Sequence, residues 1–368
     1  MTAKKNQRLL SLDALRGFDM FFISGGGTFL VLLKGKTEMP WVDVLADQLK
    51  HVPWNGFVFY DFIFPLFLFI AGVSLSYSLN KGLTMGLTKA NLYKKVFLRM
   101  LILIGLGILY KNSPFPFSEP SEIRLGSVLG RIGFACFITA LLYLSFSKLQ
   151  RLYWIAGILI AYYAALFLVP VPGYGAGDLS LEGNLVGWFD RTFLPGRLKQ
   201  GDYDELGLLT QFPALCITLF GSLAGDTLRG NATANKKTLN LVLIGVVGVI
   251  IGLIWNLHFP INKRLWSSSF IMLTSGLSCL ILALFYYIID VKGFKKWAFF
   301  FKVIGLNSLT VYLAYRFIDF SYTSSTLFGG VFKIFPEKWH EVLIAFGAAG
   351  LVWLFLYILY KRRIFIKI

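Results

Sequence analysis

Apolar residues in this chain gather into long runs, and the polar positions fall into short clusters between them. A helix needs roughly 20 apolar residues to cross a hydrocarbon core of about 30 Å. Runs of this kind recur at Leu15–Leu33, within His51–Ser78, and at Tyr93–Tyr110, Ser127–Phe146 and Tyr153–Val169. They continue at Leu206–Ala224, Leu239–Leu257, Leu265–Ile289, Trp297–Phe317 and Val342–Tyr360. The pattern predicts an all-α polytopic membrane protein with about ten transmembrane helices, read as one domain over residues 1–368. Before the second run, Trp41, Val44, Leu45 and Leu49 share one helical face. Residues 40–51 are therefore expected as a short amphipathic helix lying on the membrane surface. Pro53 should end it near Val52, with His51 at its terminus. Gly25, Gly26 and Gly27 thin or break the first run. The polar stretch Pro170–Glu205 is expected as a long extracytoplasmic loop, of a length usually kept for function or disorder. Trp188 and the Asp190-Arg191 pair argue for order.

Composition agrees with this class. The chain is 56% hydrophobic and 15% charged, with a mean hydropathy of +0.67. Soluble domains hold about 45–50% apolar and about 25% charged residues. The net charge of +17 would suggest a nucleic-acid partner if it were not so unevenly placed. With the N-terminus inside and the helices alternating, every inside segment is basic: Lys4, Lys5 and Arg8; Lys89, Lys94 and Lys95; Lys148 and Arg151; Lys236 and Lys237; Lys295 and Lys296; Lys361 to Arg363 and Lys367. Most acids fall outside, among them Asp43, Asp47, Asp178, Asp190, Asp204 and Glu205. The excess is a topology signal that puts both termini in the cytoplasm and His51 outside. Nucleic acid is not an expected partner. Residues 1–8 lead into a retained first helix, because Asp13, Arg16 and Asp19 interrupt the signal-peptide pattern and no small-x-small cleavage site follows. Cys136, Cys216 and Cys279 sit in apolar runs and form no disulfide framework.

Two placements carry candidate chemistry. His51, beside Pro53, Trp54 and Asn55, precedes an apolar run that contains Asp61. An ionisable group in such a run is costly and suggests function. A histidine with a carboxylate below it suits proton transfer; a loop cap and a helix–helix bond would account for the same residues. Asp13, Arg16 and Asp19 are three apart, so on a helix they form an ion triad, or Arg16 faces an anionic ligand. Lys95 and Arg99, one turn apart, join Arg16 and Arg131 as candidates for phosphate groups. The clusters Asn262 to Ser269 and Gly305 to Ser308, with Tyr312 one turn on, can bind a ligand or join helices.

Several motifs then recur in one order: RLLSLDALRGFDMFFI, the glycine triplet, HVPWNGFVFYDFIFPLFLFIAG, VLGRIGF around Arg131, LVPVPGYG, INKRLWSSSF, DVKG and GLNSLTVY. Over Arg8 to Ile368 the chain resembles the heparan-alpha-glucosaminide N-acetyltransferase family. The resemblance implies a transmembrane acetyltransferase that moves acetyl from cytosolic acetyl-CoA to the amine of a glucosamine across the membrane. It implies that His51 is the active-site histidine, as general base or acetyl carrier. Ser24 stands where the family has an asparagine. The lysosomal enzyme's N-terminal luminal region has no counterpart here, so a bacterial inner-membrane protein is expected. The catalytic candidates are His51, Asp61 and Asn55, with Asn55 or Asn307 polarising the thioester carbonyl. Arg16, Lys95, Arg99, Arg131, Trp266 and Ser268 are the candidates for acetyl-CoA. Ser24, Trp54, Asn262, Asn307 and Tyr312 are those for the acceptor. No metal is expected. The expected partners are an amino-sugar acceptor, the bilayer and a second copy of the chain. The competing readings are an amino-sugar permease, disfavoured by the absence of a visible internal repeat, and a membrane O-acyltransferase acting on a cell-envelope glycan.

The charge pattern makes a direct prediction. Reporter fusions after Lys237 and Lys296 should read as cytoplasmic and one after Gln200 as external; reversal at two of these positions overturns the topology.

Overall fold

The computed structural model describes residues 9–116 and 119–366; Lys4, Lys5, Arg8 and Lys367 lie outside the described residues. The helices are α1 (Leu10–Ile23), α2 (Thr28–Leu32), α3 (Pro40–Gln48), α4 (Phe59–Thr84) and α5 (Lys89–Lys111). There follow α6 (Val128–Ser145), α7 (Lys148–Leu168), α8 (Leu185–Phe193), α9 (Gln211–Arg229) and α10 (Ala234–Trp255). The last are α11 (Ser268–Phe285), α12 (Ala298–Leu306), α13 (Ser308–Phe317), α14 (Phe320–Phe332) and α15 (His340–Lys361). Among the described residues there is no strand, only an isolated bridge between Val171 and Gly175.

Among the described residues, six helices are long and apolar enough to cross a membrane: α4, α6, α7, α10, α11 with its π-helical extension to Val291, and α15. The pair α12 and α13, bent by 70°, makes a seventh if it is one broken span. This is a multi-pass arrangement, and the expected count of about ten exceeds it for identifiable reasons. The first run is split into α1 and α2, because Gly25 adopts φ +72° and Gly26 donates its N–H to the Phe21 carbonyl at 2.8 Å. The helix α5 carries Lys94, Lys95 and Arg99 inside its length. The helix α9 is interrupted by buried Thr218, Ser222 and Asp226. Two of the described α-helices were not foreseen: α8, inside the expected loop, and α14.

The chain divides into two compact units. One takes the chain up to Val52, then Val58–Phe67, then the chain from Ile281. Its main crossing is α1 on α12, where Gly17 and Gly305 let the backbones touch. A Cβ at Gly17 would strike the Phe301 carbonyl, and one at Gly305 the Asp13 carbonyl. Small residues give membrane helices this close approach. The core beside it is Met20, Val303, Ile304, Val311, Val352 and Leu356. The start of α1 is capped from a distance, the Ser11 N–H donating to Asp290 Oδ2 at 3.1 Å.

The other unit takes Pro53–Phe57 and Leu68–Leu280. Glycines set its crossings too. A Cβ at Gly72 of α4 would strike the Thr218 carbonyl of α9, and one at Gly221 of α9 the Phe69 carbonyl of α4. Gly245, Gly248 and Gly252 line the packed face of α10 against Gly276 and its neighbours on α11. The opposite face of α10 exposes Leu243, Val247, Ile250 and Ile254. An aliphatic stripe of that kind suits lipid. Buried charge is compensated: Arg151 of α7 donates to Ser222 Oγ at 2.9 Å and pairs with Asp226 of α9, which also binds Arg229 and the Tyr143 hydroxyl.

Gly305→Ala should force α1 and α12 apart. The expected loss is about 1–3 kcal/mol, read as a lower melting midpoint of the purified protein in detergent. An unchanged midpoint would mean that the crossing is looser than described.

Candidate active site

The first group lies in the unit that holds α1 and α15. The helix α3 stops at Gln48, with Leu49 as its C-cap, so His51 stands just beyond the helix and not at its last turn. The helix α4 starts only at Phe59, because Gly56 is held at φ +119° outside helical space. Asp61 is therefore in the first turn of α4. There its Oδ1 meets His51 Nδ1 at 2.7 Å, and its Oδ2 accepts the Val58 N–H at 3.3 Å. Gln48 Oε1 accepts the Phe59 N–H at 3.0 Å, tying the end of α3 to the start of α4. The Asp61 side chain is 1% exposed and that of His51 35%. The His51 ring also lies 4.8 Å from the Tyr60 ring. A buried carboxylate at Nδ1 orients an imidazole and selects its tautomer, which directs chemistry to Nε2.

The second group lies in the other unit. Trp54 donates its indole N–H to the Leu179 carbonyl at 3.0 Å and packs edge-on against Tyr203. Asn55 is exposed, and its Oδ1 accepts from Asn262 Nδ2 at 3.0 Å. Asn262 is fully buried in a turn of its own making: its Oδ1 accepts the Leu265 N–H at 2.9 Å, and its N–H donates to Ser267 Oγ at 3.0 Å. Trp266 ends that turn at φ +51°. For a bulky side chain this left-handed conformation costs about 1–3 kcal/mol and persists only where the surroundings enforce it. Here they do. Its indole N–H donates to the Glu205 carbonyl at 3.0 Å, and the Arg131 guanidinium covers its ring at 4.5 Å.

The remaining candidates separate. Arg131 is 1% exposed, hydrogen-bonded to Thr210 and stacked on Trp266, whereas Lys95 and Arg99 occupy the exposed side of α5. The three do not form one cationic patch. Arg16 lies 3.6 Å from Asp13. Asp19 is not in the expected triad: it is fully buried, and neither carboxylate oxygen has a hydrogen-bond partner. Ser24 caps α1, its hydroxyl donating to the Phe21 carbonyl at 3.3 Å. Ser268 donates to the Leu159 carbonyl at 2.8 Å, joining α11 to α7. Asn307 sits at the bend between α12 and α13, where its amide binds the Ile364 carbonyl and the Ile366 N–H. Tyr312 packs beside the core of Val303 and Val311.

Sequence reasoning missed the charges that organise the turn preceding α9. Arg124 binds Asp204 through two bonds of 2.7 and 2.8 Å, and Glu205 pairs with Lys199 and with Arg264 at 2.9 Å. Asp190 accepts the Leu208 and Asp204 N–H groups at 3.0 and 3.4 Å. The signal was the cluster Asp202, Asp204, Glu205 immediately before an apolar run, with Arg124 and Lys263-Arg264 available to answer it. Burial pushes Asp190 up to about 6, against the pull of its two backbone donors. Burial also opposes ionisation of Glu205, but Lys199, Lys263 and Arg264 outweigh it and hold the acid down at about 2.

With this geometry in view, residues 8–260 match the family described as the catalytic part of heparan-alpha-glucosaminide N-acetyltransferase. The chain belongs to that family. Its relatives include heparan-alpha-glucosaminide N-acetyltransferase of Mus musculus, 28% identical, and that of Homo sapiens, 29% identical, each over 420 aligned positions. Both alignments take in 98% of this chain, which spans 60% of the length of either relative. His51, Asp61, Asn55 and Arg131 fall within the family match, and Asn262, Trp266 and Asn307 lie beyond it.

The Glu205 ion pairs give a pH-dependent prediction. Because the pairs hold the acid below its ordinary value of 4.5, their stabilisation is complete above about pH 4.5 and drains away as pH falls toward about 2. Glu205→Gln should cost about 2–3 kcal/mol at neutral pH. The difference in melting midpoint from the parent should shrink steadily below pH 4.5, and a constant difference at pH 3 would remove Glu205 as its cause.

Proposed function

We propose that this protein is a transmembrane N-acetyltransferase that takes acetyl from cytosolic acetyl-CoA and delivers it to the amine of a glucosamine-type sugar on the opposite side of the membrane. The observation that carries the reading is the His51 Nδ1 to Asp61 Oδ1 contact of 2.7 Å, in a chain that belongs to this family. Amide formation needs the acceptor nitrogen to attack the thioester carbonyl, the C–S bond to break, and a proton to leave the nitrogen. His51 Nε2 is suited to take that proton directly. It is equally suited to accept the acetyl group first and pass it on in a second step. In both routes a positively charged or acylated imidazole forms, and the buried Asp61 carboxylate stabilises it. Asn55 offers an amide donor for the carbonyl oxygen as it gains charge. Lys95 and Arg99, four residues apart and exposed on α5, suit the phosphates of CoA.

His51→Ala should abolish acetyl transfer while acetyl-CoA binding persists. Asp61→Asn should keep the shape of the pair and lower kcat by about 10²-fold or more. Arg99→Gln should raise the KM for acetyl-CoA and leave kcat little changed. The test uses sealed vesicles with the cytoplasmic face inside, acetyl-CoA enclosed and glucosamine supplied outside. N-acetylglucosamine in the outer medium is the expected result. Wild-type turnover by His51→Ala, or transfer only with both substrates on one face, overturns the mechanism.

A further inference from the structure

We propose that Arg131 and Trp266 are positioning residues for Asn55, acting through the Asn262 turn; the proposal rests on the acetyl-transfer reading above. The chain of contacts is continuous and lies within one compact unit. Arg131, buried on α6, covers the Trp266 ring at 4.5 Å. The same guanidinium binds Thr210, so it is itself fixed. Trp266 is pinned at its other edge by the Glu205 carbonyl at 3.0 Å, and its ring meets Phe270 edge-on at 5.8 Å. With the ring held, residue 266 keeps φ +51°. That backbone conformation closes the turn in which the Ser267 N–H donates to the Asn262 carbonyl at 3.1 Å and the Trp266 N–H to the Lys263 carbonyl at 3.3 Å.

Asn262 thereby has one orientation. Its Oδ1 is spent on the Leu265 N–H, so its Nδ2 is the group turned to Asn55 Oδ1. A second tie holds the same strand of chain, the Gly56 N–H donating to the Ile261 carbonyl at 2.9 Å. Asn55 Oδ1 already accepts one bond on this side, which turns its amide N–H₂ outward as a donor. A donor is what a carbonyl oxygen gaining negative charge requires; the flipped amide would offer an acceptor and repel it. A direct role for Arg131 at a CoA phosphate fits the surroundings less well. Asp190, Asp204 and Glu205 act on the guanidinium from nearby, and a phosphate would meet their repulsion.

The energetic logic is that of a backbone held in an unfavourable conformation by neighbours that over-determine it, a pattern that clusters at functional sites. Releasing the clamp lets residue 266 relax toward ordinary φ and lets the Asn262 amide turn. Small losses of alignment in a reacting site can cost about 10²-fold in rate. Substrate binding by groups elsewhere is untouched.

The experiment is a double-mutant cycle on kcat with the full-length protein in detergent or vesicles, using acetyl-CoA and glucosamine. Arg131→Gln and Trp266→Phe should each lower kcat by about 10- to 100-fold, with the KM for acetyl-CoA unchanged. Placed in an Asn55→Ala background, neither should lower kcat further, because the group they orient is gone. Equal losses with and without Asn55 overturn the proposal. So does a raised KM for acetyl-CoA at preserved kcat, which would give Arg131 to the CoA phosphates. Trp266→Phe keeps a ring under the guanidinium and deletes only the indole donation, so it carries the test if Arg131→Gln lacks a melting transition. If both variants fail to fold, the two residues are structural and the proposal falls. Failure of the acetyl-transfer reading looks different: the parent protein itself would form no N-acetylglucosamine.

Discussion

Backbone-to-backbone contact between helices is the constraint on which the rest of this protein depends. In an apolar surrounding, burying more oil gains little between two helices, and tight van der Waals packing has to hold them together. Glycine makes that possible by removing the side chain that would keep the axes apart. Gly17 with Gly305 joins α1 to α12, Gly72 with Gly221 joins α4 to α9, and Gly245, Gly248 and Gly252 meet Gly276 between α10 and α11. These crossings fix the helices that carry the candidate site residues. Asp61 lies on α4, the segment holding Asn262 and Trp266 leads into α11, and α1 presents Asp13, Arg16 and Asp19. A methyl group at any of these crossings would be felt at the side chains beyond it.

Charge is handled in two ways. Arg151 with Asp226 and Arg124 with Asp204 are buried and mutually satisfied, the state in which buried ions are tolerable. They join elements, with Arg151 Nε the one nitrogen of the first pair that finds no hydrogen-bond partner. The His51 and Asp61 pair differs in its exposure: the carboxylate is sealed and the imidazole is about a third open. Under the proposed function, an oriented imidazole with one edge toward solvent serves as the base, whereas a sealed pair is a fastener.

Much of this was legible in the sequence, and the exceptions have physical causes. Long apolar runs reveal helices because the hydrophobic period is local. The partnership of His51 and Asp61 was visible as an intent, since an acid in an apolar run needs a reason. Its geometry was not visible, because the start of α4 depends on Gly56 adopting φ +119°, and a glycine does not announce which conformation it takes. Arg131 was grouped with Lys95 and Arg99 by charge alone. Sequence cannot tell an exposed arginine from one roofed by a tryptophan more than a hundred residues later. The strain at Trp266 was invisible for the same reason, since only long-range contacts hold it. Fewer helices than the expected ten are long and apolar enough to cross a membrane where glycines split an apolar run, as between α1 and α2, or where lysine and arginine intrude, as in α5.

The pairing of α1 with α12 has a consequence for biosynthesis. The helix α1 finds its glycine partner only after the chain between Ile23 and Ala298 has been made, and domains otherwise tend to form as they emerge. Until then Asp13 and Asp19, both buried in the finished unit, lack the packing that α12 and its neighbours complete. The bend at Asn307 waits longer still, because the carbonyl and N–H that satisfy its amide belong to Ile364 and Ile366. This unit closes late, like a purse drawn shut by its string.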